Sequence, residues 1–424
     1  MPHTARRNFL KGLAAAVPAS AALTGFQAMA APLLNKVKIT NVHAMFVQAH
    51  TQTTFVKIET DAGVTGIGEA YWGRGVKEVI LGNLRDLMVG QDPLNVEPLF
   101  TKMLRSLGGA GAQAGVTVTA VSGVEIALWD LAGKLLGVPV VTLLGGKYRD
   151  GVRAYWTTYP KDMLDPASCR DFAAMLKSHY MGITAIKSDA DNYPRKYDPQ
   201  EREPGHDFVT GHLTAKDLAR IRKGFAQLRE AVGEDIDIAV HTHWEFDWID
   251  ALQLARTVAP INPTWLEDPM PPFYSESWSK LTAESPVPIL TGENLYLRRG
   301  FLPFILNQGC HIVQIDIPKA GGLLESKKIA DLAELFEIPV CAHIASTPIG
   351  AIASAHCAAA IRDFRVQEFS PGRFKPEDWE KFVIYEGGVI RDGKYRILDK
   401  PGLGLEINED FTRRHLMPGE TWWG

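Results

Sequence analysis

The sequence predicts an α/β protein in which a mixed α+β domain precedes a barrel of parallel strands. Between residues 36 and 145, alternating apolar residues give way to helical periodicity, which is typical of an α+β domain. Over residues 149–370, short β-rich runs alternate with helical patterns, and this predicts repeated βα units. From His241 to Glu368, polar residues end these runs at intervals of 26, 26, 23, 27 and 25 residues. Eight such units close into a barrel with its active site at the carboxyl ends of the strands.

The composition is that of a large globular protein. The 424 residues are 46% hydrophobic and 22% charged, which excludes a disordered or collagen-like chain. The 45 basic and 49 acidic residues give a net charge of −4, and no basic run interrupts that balance. Nucleic acids and anionic membranes are therefore poor partners, and a small molecule is the expected ligand.

Residues 1–30 read as an export signal. Arg6-Arg7 precedes an apolar, Ala-rich stretch that reaches Ala22, and Ala28-Met29-Ala30 fits a cleavage site. The alternative is an amphipathic N-terminus that is not removed. Paired arginines resemble the twin-arginine signals of proteins exported already folded, which predicts a periplasmic location. No other apolar run reaches about 18 residues, so we expect no membrane association after cleavage.

The N-terminal α+β domain, residues 31–148, begins with a small antiparallel sheet. Its strands are predicted over Lys36–Met45 and within Thr54–Tyr71, where Asp61-Ala62-Gly63 supplies a turn. Helical periodicity follows over Val76–Leu87 and Thr119–Leu136.

The barrel domain, residues 149–370, contains eight predicted strands, each ending in polar residues. They are Arg153–Tyr159, Thr184–Asp189, Asp237–His243, Pro263–Asp268, Pro288–Glu293, Ile312–Ile317, Pro339–Ile344 and Arg365–Ser370. The segment 371–424, rich in glycine turns, is expected to pack back on the N-terminal domain.

One polar excursion, residues 190–213, is too long for a connecting turn. Such a segment is typical of a substrate-covering loop or an oligomer contact. Its polar and aromatic residues include Tyr193, Pro194, Arg195, Lys196, His206 and His212.

The four cysteines are expected to be buried free thiols rather than a disulfide framework. They lie in or beside apolar segments and lack C-x-x-C spacing. Disulfide frameworks belong to much smaller secreted domains. The residues are Cys169, Cys310, Cys341 and Cys357.

Two glutamates end neighbouring predicted strands: Glu267 in Trp-Leu-Glu-Asp-Pro and Glu293 in Thr-Gly-Glu-Asn. Their charges would repel each other in a barrel mouth unless a cation lay between them. Oxygen ligands at one depth of a barrel suit a hard divalent ion such as Mg²⁺. For either glutamate alone a surface or salt-bridged acid is the simpler interpretation, but recurrence in consecutive βα units favours ligands.

Asp316 and His343 end the next two predicted strands. An acid beside an imidazole orients the ring and increases its basicity, so we expect a general base here. The alternative is a histidine satisfied within the core.

Two further pairs lie on the second and third predicted barrel strands. His241 and His243 are two residues apart, so their side chains point to the same side, which is the mouth if the register is right. Lys187 and Asp189 have the same relation on the preceding strand. A buried lysine near a metal-bound carboxylate would stay cationic and stabilise it.

Several stretches carry a family resemblance when they are taken in order. They are Ala120–Asp130, Leu143–Gly146, Trp265–Pro269, Thr291–Asn294, Asp316–Gly322 and Ala342-His343. With them the chain resembles the enolase superfamily, in its mandelate racemase-like branch and most closely its sugar-acid dehydratases of the galactonate and gluconate type. The resemblance covers roughly residues 36–420.

The resemblance implies a capping domain followed by a modified (β/α)7β TIM-like barrel that lacks one helix. It implies that Glu267 and Glu293 are the second and third ligands of one divalent metal, Mg²⁺ in such relatives. Asp316 and His343 match the catalytic dyad, and Glu368 matches the acid that hydrogen-bonds the substrate. A homo-oligomer is also implied.

The chain departs from this pattern at the first metal ligand. Relatives usually have Asp-x-His or Asp-x-Asn there, whereas this chain has His241-Thr242-His243. An imidazole ligand should weaken Mg²⁺ and favour Mn²⁺ or another transition metal. His243 still matches the dehydratase histidine that protonates a leaving hydroxyl. Lys187-Ser188-Asp189 stands where many racemase-like members have Lys-x-Lys, which favours one-base elimination over racemisation.

The expected function is a metal-dependent hydro-lyase that converts an aldonate-type sugar acid to a 2-keto-3-deoxy acid through an enediolate intermediate. Lys187 would help to hold the substrate carboxylate, His343 would take the α-proton, and His243 would protonate the departing hydroxyl. Two alternatives stay open. One is a cycloisomerase or racemase of a sugar acid or lactone, and the other is a non-catalytic exported sugar-acid-binding protein with an altered metal site.

Overall fold

A computed structural model describes residues 33–49, 52–71, 73–191 and 212–423 of the chain. The predicted export signal, residues 1–30, lies outside the described residues. So does most of the polar excursion 190–213, including Tyr193, Pro194, Arg195, Lys196 and His206.

The N-terminal domain consists of a three-stranded antiparallel sheet covered by helices. The strands are β1 (Ile39–Gln48), β2 (Gln52–Thr60) and β3 (Thr65–Ala70), paired in the order β1-β2-β3. The α-helices are Val76–Val79, Arg85–Met88, Val96–Ser106, Gly115–Leu136 and Val140–Leu143, with a π-helical turn at Ile80–Leu84 and a 3₁₀ turn at Gly108–Ala110.

The long helix Gly115–Leu136 is the core of this domain and lies very close to β3. A Cβ atom at Gly66 would come within 2.2 Å of the Ala127 carbonyl, and one at Gly68 within 2.3 Å of the Gly123 carbonyl. Only glycine at these two β3 positions allows the contact. Among the described residues this is the one helix long and apolar enough to cross a membrane, but 78% of its apolar window is buried inside the protein. It is therefore explained as a core helix.

The second domain is a closed barrel of eight parallel strands, as the sequence predicts, and β11 pairs with β4 to close it. The strands are β4 (Gly151–Thr157), β5 (Ala185–Asp189), β6 (Asp237–His241), β7 (Leu266–Glu267), β8 (Ile289–Thr291), β9 (Ile312–Ile315), β10 (Val340–Ala342) and β11 (Phe364–Phe369). Several are shorter than predicted at one or both ends. Three of the predicted runs begin with a proline, which cannot donate to the ladder and lies outside each observed strand.

Helices follow β4 to β10 and cover the outside of the barrel. They are Pro166–Ser178, Ala215–Val232, Trp248–Val258, Glu276–Glu284, Leu297–Leu306, Ile317–Ala320, Gly322–Glu334 and Pro348–Ala359, with a 3₁₀ turn at Ala259–Ile261. β11 leads instead into the C-terminal segment. The described chain is thus a capping α+β domain followed by a modified (β/α)7β barrel, and the predicted fold is confirmed.

The C-terminal segment contacts both domains. β14 (Lys394–Arg396) pairs antiparallel with β4, so it extends the barrel sheet. The amide of Gln48 donates to the His415 carbonyl at 2.7 Å, and the amide of Met417 donates to the Phe46 carbonyl at 3.0 Å, so the segment also binds the edge of β1. Its remaining elements are β12 (Val383–Ile384), β13 (Ile390–Arg391), β15 (Glu406–Ile407), the helices Pro376–Trp379 and Glu409–Arg413, and the 3₁₀ turn Glu380–Phe382.

Buried carboxylates join the capping domain to the barrel. Glu125, on the long helix, accepts hydrogen bonds from the amides of Leu323 and Leu324 at 2.8 and 3.0 Å. It thereby caps the first turn of the barrel helix Gly322–Glu334. A Cβ atom at Gly322 would lie 2.1 Å from Glu125 Oε2, and the residue has a φ of +84°, so glycine is required on both counts.

Glu69 makes a second connection of the same kind, from the end of β3. Its carboxylate accepts hydrogen bonds from the amides of Thr347 at 3.0 Å and Gly350 at 2.8 Å, at the start of helix Pro348–Ala359. The Thr53 hydroxyl donates to it at 2.7 Å. These bonds fix the capping sheet over the barrel mouth.

All four cysteines are buried and none forms a disulfide. The expectation of free thiols at Cys169, Cys310, Cys341 and Cys357 is therefore confirmed.

Candidate active site

The carboxyl ends of the barrel strands surround a cavity of about 610 Å³ below the capping domain, which contributes Tyr71 to its wall. Six of the sequence-predicted residues line this cavity: Lys187, His241, His243, Glu293, His343 and Glu368. The other two, Glu267 and Asp316, are fully buried directly behind the lining. The parallel topology brings all eight together because every strand ends at the same rim.

Four side chains at this rim form a cluster with the composition of a metal site. They are His241, Glu267, Asp268 and Glu293, whose ligand atoms all lie within 4.8 Å of one another. His241 Nε2, Asp268 Oδ2 and Glu293 Oε2 are buried and have no hydrogen-bond partner among the described residues. Buried polar atoms without partners are costly, and a divalent cation would satisfy all three. The donor set therefore fits the metal that the sequence predicts.

Asp268 is a member of this cluster that the sequence does not predict, since Glu267 alone of the acidic pair is expected to be a ligand. Neighbouring residues of a strand normally point to opposite faces. Asp268 has a φ of +47°, a left-handed conformation that interrupts this alternation, so both acids reach the cluster. Burial, together with the charges of Glu293 and Glu267, raises the pKa of Asp268 to about 7. The acidic pair in the sequence was the available signal.

Lys187 lies between two buried carboxylates. Its Nζ donates to Glu267 Oε1 at 2.7 Å and lies 3.1 Å from Glu368 Oε1. Burial by itself would lower the pKa of Lys187, but the charges of Glu267 and Glu368 raise it above its ordinary value. The Trp265 indole donates to the other oxygen of Glu267 at 2.8 Å. Lys187 is therefore a fixed cation at the floor of the cavity.

His343 and Asp316 are in contact, with His343 Nδ1 2.7 Å from Asp316 Oδ2. The other ring nitrogen, Nε2, lies 3.4 Å from Glu293 and 3.7 Å from Glu368. Burial would lower the pKa of His343, but Glu293, Glu368 and Asp316 raise it to about 9. The pair has the geometry of an oriented imidazole whose Nε2 faces the cavity.

Glu368 is fixed by neutral donors as well as by Lys187. It accepts hydrogen bonds from the Tyr155 hydroxyl and the Ile344 amide, both at 3.1 Å, and from the Thr157 hydroxyl. Burial would raise the pKa of Glu368, but Lys187 and His343 lower it to about 2. Glu368 is therefore an ionised hydrogen-bond acceptor on the cavity wall.

Two carboxylate–imidazole pairs lie side by side at the ends of β5 and β6. Asp189 and His241 are register partners, and Asp189 Oδ1 is 3.1 Å from His241 Nδ1. Two residues after Asp189 and His241, Asp191 Oδ2 is 2.6 Å from His243 Nδ1. Burial would lower the pKa of His241, as would Lys187, but Glu267 and Asp189 raise it to about 9. Sequence reasoning missed Asp191, although Asp-x-Asp beside His-x-His was a usable signal.

A second buried cation, Lys319, was also missed. Its Nζ donates to Asn294 Oδ1 at 2.5 Å and lies over the ring of Tyr71, 5.1 Å from the centroid. Burial raises the pKa of Glu293, but His343, His241, Lys187 and, to a smaller extent, Lys319 lower it below its ordinary value. The position of Lys319 three residues after Asp316, in the same turn, gave no distinctive signal.

Comparison with known proteins gives consistent matches over nearly the whole described chain. The family described as mandelate racemase / muconate lactonizing enzyme, N-terminal domain, matches residues 32–145, and the family described as enolase C-terminal domain-like matches residues 171–411. The chain is 36% identical over 384 residues to the D-xylonate dehydratase of Haloferax volcanii, covering 91% of this chain and 90% of that protein.

Two further similarities agree with these matches. The chain is 30% identical over 378 residues to the D-galactonate dehydratase of Pectobacterium atrosepticum, covering 87% of this chain and 92% of that protein. A solved structure of a mandelate racemase/muconate lactonizing enzyme-like protein from Rubrobacter xylanophilus superposes with a TM-score of 0.83 at 34% identity, covering 91% of this chain and 99% of that one.

Proposed function

The chain belongs to the mandelate racemase / muconate lactonizing enzyme family of the enolase superfamily, and from that premise we propose that it is a sugar-acid dehydratase acting on an aldonate. The product would be a 2-keto-3-deoxy acid. The relatives named D-xylonate and D-galactonate dehydratase support this reaction class. The observation that carries the proposal is that two histidines, His343 and His243, each held by an aspartate, line one cavity together with the carboxylate cluster.

His343 is the proposed base. Its Nδ1 is held by Asp316, so Nε2 is the nitrogen that faces the cavity and takes the α-proton. The pKa of about 9 applies to a ring with Glu293 and Glu368 as neighbours, and the base must be neutral to act. A divalent cation bound in the cluster of His241, Glu267, Asp268 and Glu293 would offset those charges and polarise the substrate carboxylate, which would make the α-proton more acidic.

His243 is the proposed acid. Its Nδ1 contacts Asp191, and its ring is partly exposed to the cavity, so Nε2 can donate a proton to a departing hydroxyl. Glu368 would accept a hydrogen bond from the substrate, and Lys187 would help to neutralise the developing negative charge. One base and one separate acid are the requirements of an elimination.

The cavity wall favours a monocarboxylate. Among its described lining residues Lys187 is the one lysine or arginine, and it is already bonded to Glu267 and Glu368. Hydroxyl groups line another part of the wall, at Thr157 and Thr158, where they can bind the sugar hydroxyls. We therefore expect aldonates to react faster than aldarates, because the described lining offers a second carboxylate no further lysine or arginine.

We base the proposed identity of the metal on its candidate ligands. Members of the enolase superfamily bind Mg²⁺, and the carboxylates of this cluster suit it. The imidazole of His241 is a softer donor, so we propose that Mn²⁺ is retained better than Mg²⁺. His241→Asp should restore the preference for Mg²⁺, as measured by metal content after dialysis against both ions.

Two variants test the reaction. Proton exchange at the α-carbon in deuterated water and keto-acid formation are measured on a panel of aldonates and aldarates. His343→Asn should abolish both signals, whereas His243→Asn should keep exchange and lose dehydration. Keto-acid formation by His243→Asn at the parent rate would overturn the mechanism. Exchange without dehydration in the parent would favour a racemase or cycloisomerase, and binding without exchange would favour a binding protein.

We also propose that the protein is exported and that the mature chain begins near Ala31. The support is the paired-arginine segment and the Ala28-Met29-Ala30 tripeptide. Mass spectrometry of the periplasmic protein should find this terminus, and an intact Met1 would contradict the proposal. A homo-oligomer is proposed from the family resemblance, and light scattering of the purified protein measures it.

A further inference from the structure

We propose that Asp189 is a positioning residue of the metal site, which fixes the ring of His241 so that Nε2 faces the cation. The inference rests on the metal-binding part of the proposed function but not on the reaction. It concerns how this chain uses a neutral ligand where the rest of its cluster is acidic.

The geometry of the pair is that of a ligand and its support. Asp189 and His241 are register partners on the adjacent parallel strands β5 and β6, and both side chains are largely buried. Asp189 Oδ1 lies 3.1 Å from Nδ1 of the ring. The opposite nitrogen, Nε2, lies 3.8 Å from Glu267 Oε1 and has no hydrogen-bond partner in the described part of the chain.

The chemistry of imidazole turns this geometry into a choice of ligand atom. A ring that gives up a proton to bind a metal has one N–H donor and one lone pair. With Nδ1–H donating to Asp189, the lone pair is at Nε2, on the side of Glu267 and Glu293. Turning the ring over would direct Nδ1 to the cluster and deprive Asp189 of this donor in a buried place. The carboxylate thus holds both the tautomer and the rotamer.

The pair also supplies charge. His241 is a neutral ligand, whereas Glu267 and Glu293 are acids. Asp189 places a negative charge one hydrogen bond behind the imidazole, which increases its donor strength toward the cation. A carboxylate-supported imidazole among oxygen ligands favours a transition-metal ion over Mg²⁺.

The test measures metal binding in the full chain without substrate. The protein is stripped with a chelator and titrated with Mn²⁺, and free Mn²⁺ is followed by electron paramagnetic resonance. Asp189→Asn should weaken Mn²⁺ binding about 10- to 100-fold. Asp191→Asn is the matched control. It also removes one carboxylate charge, two residues from Asp189, but Asp191 contacts His243 and not His241. This control should change the affinity less than about threefold.

A double-mutant cycle separates positioning from a general electrostatic effect. If Asp189 acts through the ring, Asp189→Asn should not weaken Mn²⁺ binding in a His241→Asp background. Nitrogen hyperfine coupling to bound Mn²⁺ should be present in the parent protein and absent in His241→Asp. Asp189→Ser serves as a second variant if Asp189→Asn lowers the melting temperature.

Three results would overturn the inference: parent-like affinity in both Asp189 variants, equal weakening in the two backgrounds, or no nitrogen coupling in the parent. A parent protein that binds neither Mn²⁺ nor Mg²⁺ would remove the metal site and this inference together. A parent protein that binds Mn²⁺ but dehydrates no sugar acid would refute the proposed reaction and leave the role of Asp189 unaffected.

Discussion

The buried carboxylates that connect the capping domain to the rest of the chain have the same chemistry and similar burial as those at the barrel mouth, but two at the mouth, Asp268 and Glu293, differ in hydrogen bonding. In the connecting set every carboxylate oxygen accepts at least one hydrogen bond, and the residues are Glu69, Glu125 and Asp130. At the mouth, Asp268 Oδ2 and Glu293 Oε2 have no hydrogen-bond partner among the residues described.

The difference marks Asp268 and Glu293 as acids whose free oxygens are placed for a ligand rather than for stability. A buried oxygen that accepts an amide hydrogen bond contributes to stability, whereas one left without a partner costs free energy. The cost at the mouth is offset when a ligand binds. Hydrogen bonding, rather than burial or residue type, therefore distinguishes Asp268 and Glu293 from the connecting set, whereas Glu267 and Glu368 at the mouth accept hydrogen bonds at both oxygens.

The largest expected effect is that of Glu293→Gln. The variant should lose divalent metal and at least about 10³-fold in kcat, since an electrostatic stabiliser of the transition state is lost. Burial raises the pKa of Glu293, but His343 and His241 lower it below its ordinary value, so the metal-free variant should lose some unfolding free energy. The loss should be smaller than that of Glu125→Gln, because Oε2 accepts no hydrogen bond among the described residues. Metal analysis, steady-state kinetics and urea unfolding measure the three quantities. Retained metal with a large loss of stability would break the distinction.

Glu125→Gln should show the opposite pattern. An amide group would direct N–H toward a backbone donor, so the variant should lose about 1–3 kcal/mol of unfolding free energy and keep its activity per folded molecule. Glu97→Gln is a matched control, because Glu97 pairs with Lys328 across the same two domains at the exposed surface. It should cost less than about 1 kcal/mol. Equal losses in the two variants would contradict the comparison.

Much of the fold could be predicted because strand ends and turns leave local signals. Short apolar runs that alternate with helical patterns, each run ending in a polar residue, predicted all eight barrel strands. Gly137 and Pro139 predicted the end of the long helix at Leu136. The helix Val96–Ser106 was missed, although Leu99, Phe100, Met103 and Leu104 recur at helical spacing and follow the helix-start residues Asn95 and Glu97.

The candidate site was predictable where each residue ends a strand, and was not where partners meet through tertiary structure. Asp191 contacts His243 from 52 residues away, and that contact depends on the register of β5 and β6. Asp268 depends on an unusual backbone angle. The sequence carries a signal for each residue, Asp-x-Asp for Asp191 and the Glu-Asp pair for Asp268, but neither signal shows that the contact forms.

Asp191 is an intermediate case that sharpens the comparison. Its Oδ2 contacts His243, but Oδ1 is buried with no hydrogen-bond partner in the described chain. If it positions the acid, Asp191→Asn should slow dehydration about tenfold and leave α-proton exchange near the parent rate. Rates of keto-acid formation and deuterium incorporation check this split. A parallel fall in both would mean that Asp191 supports the whole site and not His243.

The smallest expected effect concerns two buried histidines: His356, where the capping domain meets the barrel, and His343, at the barrel mouth. His356 lies where helix Val140–Leu143 and the C-terminal segment meet, with Nδ1 accepting from the Val141 amide at 3.2 Å. Burial lowers the pKa of His356 to about 4, whereas the acids around His343 outweigh burial and raise its pKa to about 9. The two histidines therefore contribute to stability with opposite dependence on pH.

For His356 the folded pKa is below the unfolded value of about 6.5, so the unfolded chain binds the proton more readily. Its contribution is present above pH 6.5 and is lost as the pH falls toward 4. Between about pH 6.5 and 5.5 the parent should lose about 1 kcal/mol more unfolding free energy than His356→Asn. For His343 in the metal-free protein, the contribution is complete below about pH 6.5 and is lost as the pH rises through 9. Urea unfolding of the parent, His356→Asn and metal-free His343→Asn between about pH 4 and 9 measures how the unfolding free energy depends on pH. Parallel profiles for the parent and His356→Asn would show that His356 is not buried in its neutral form.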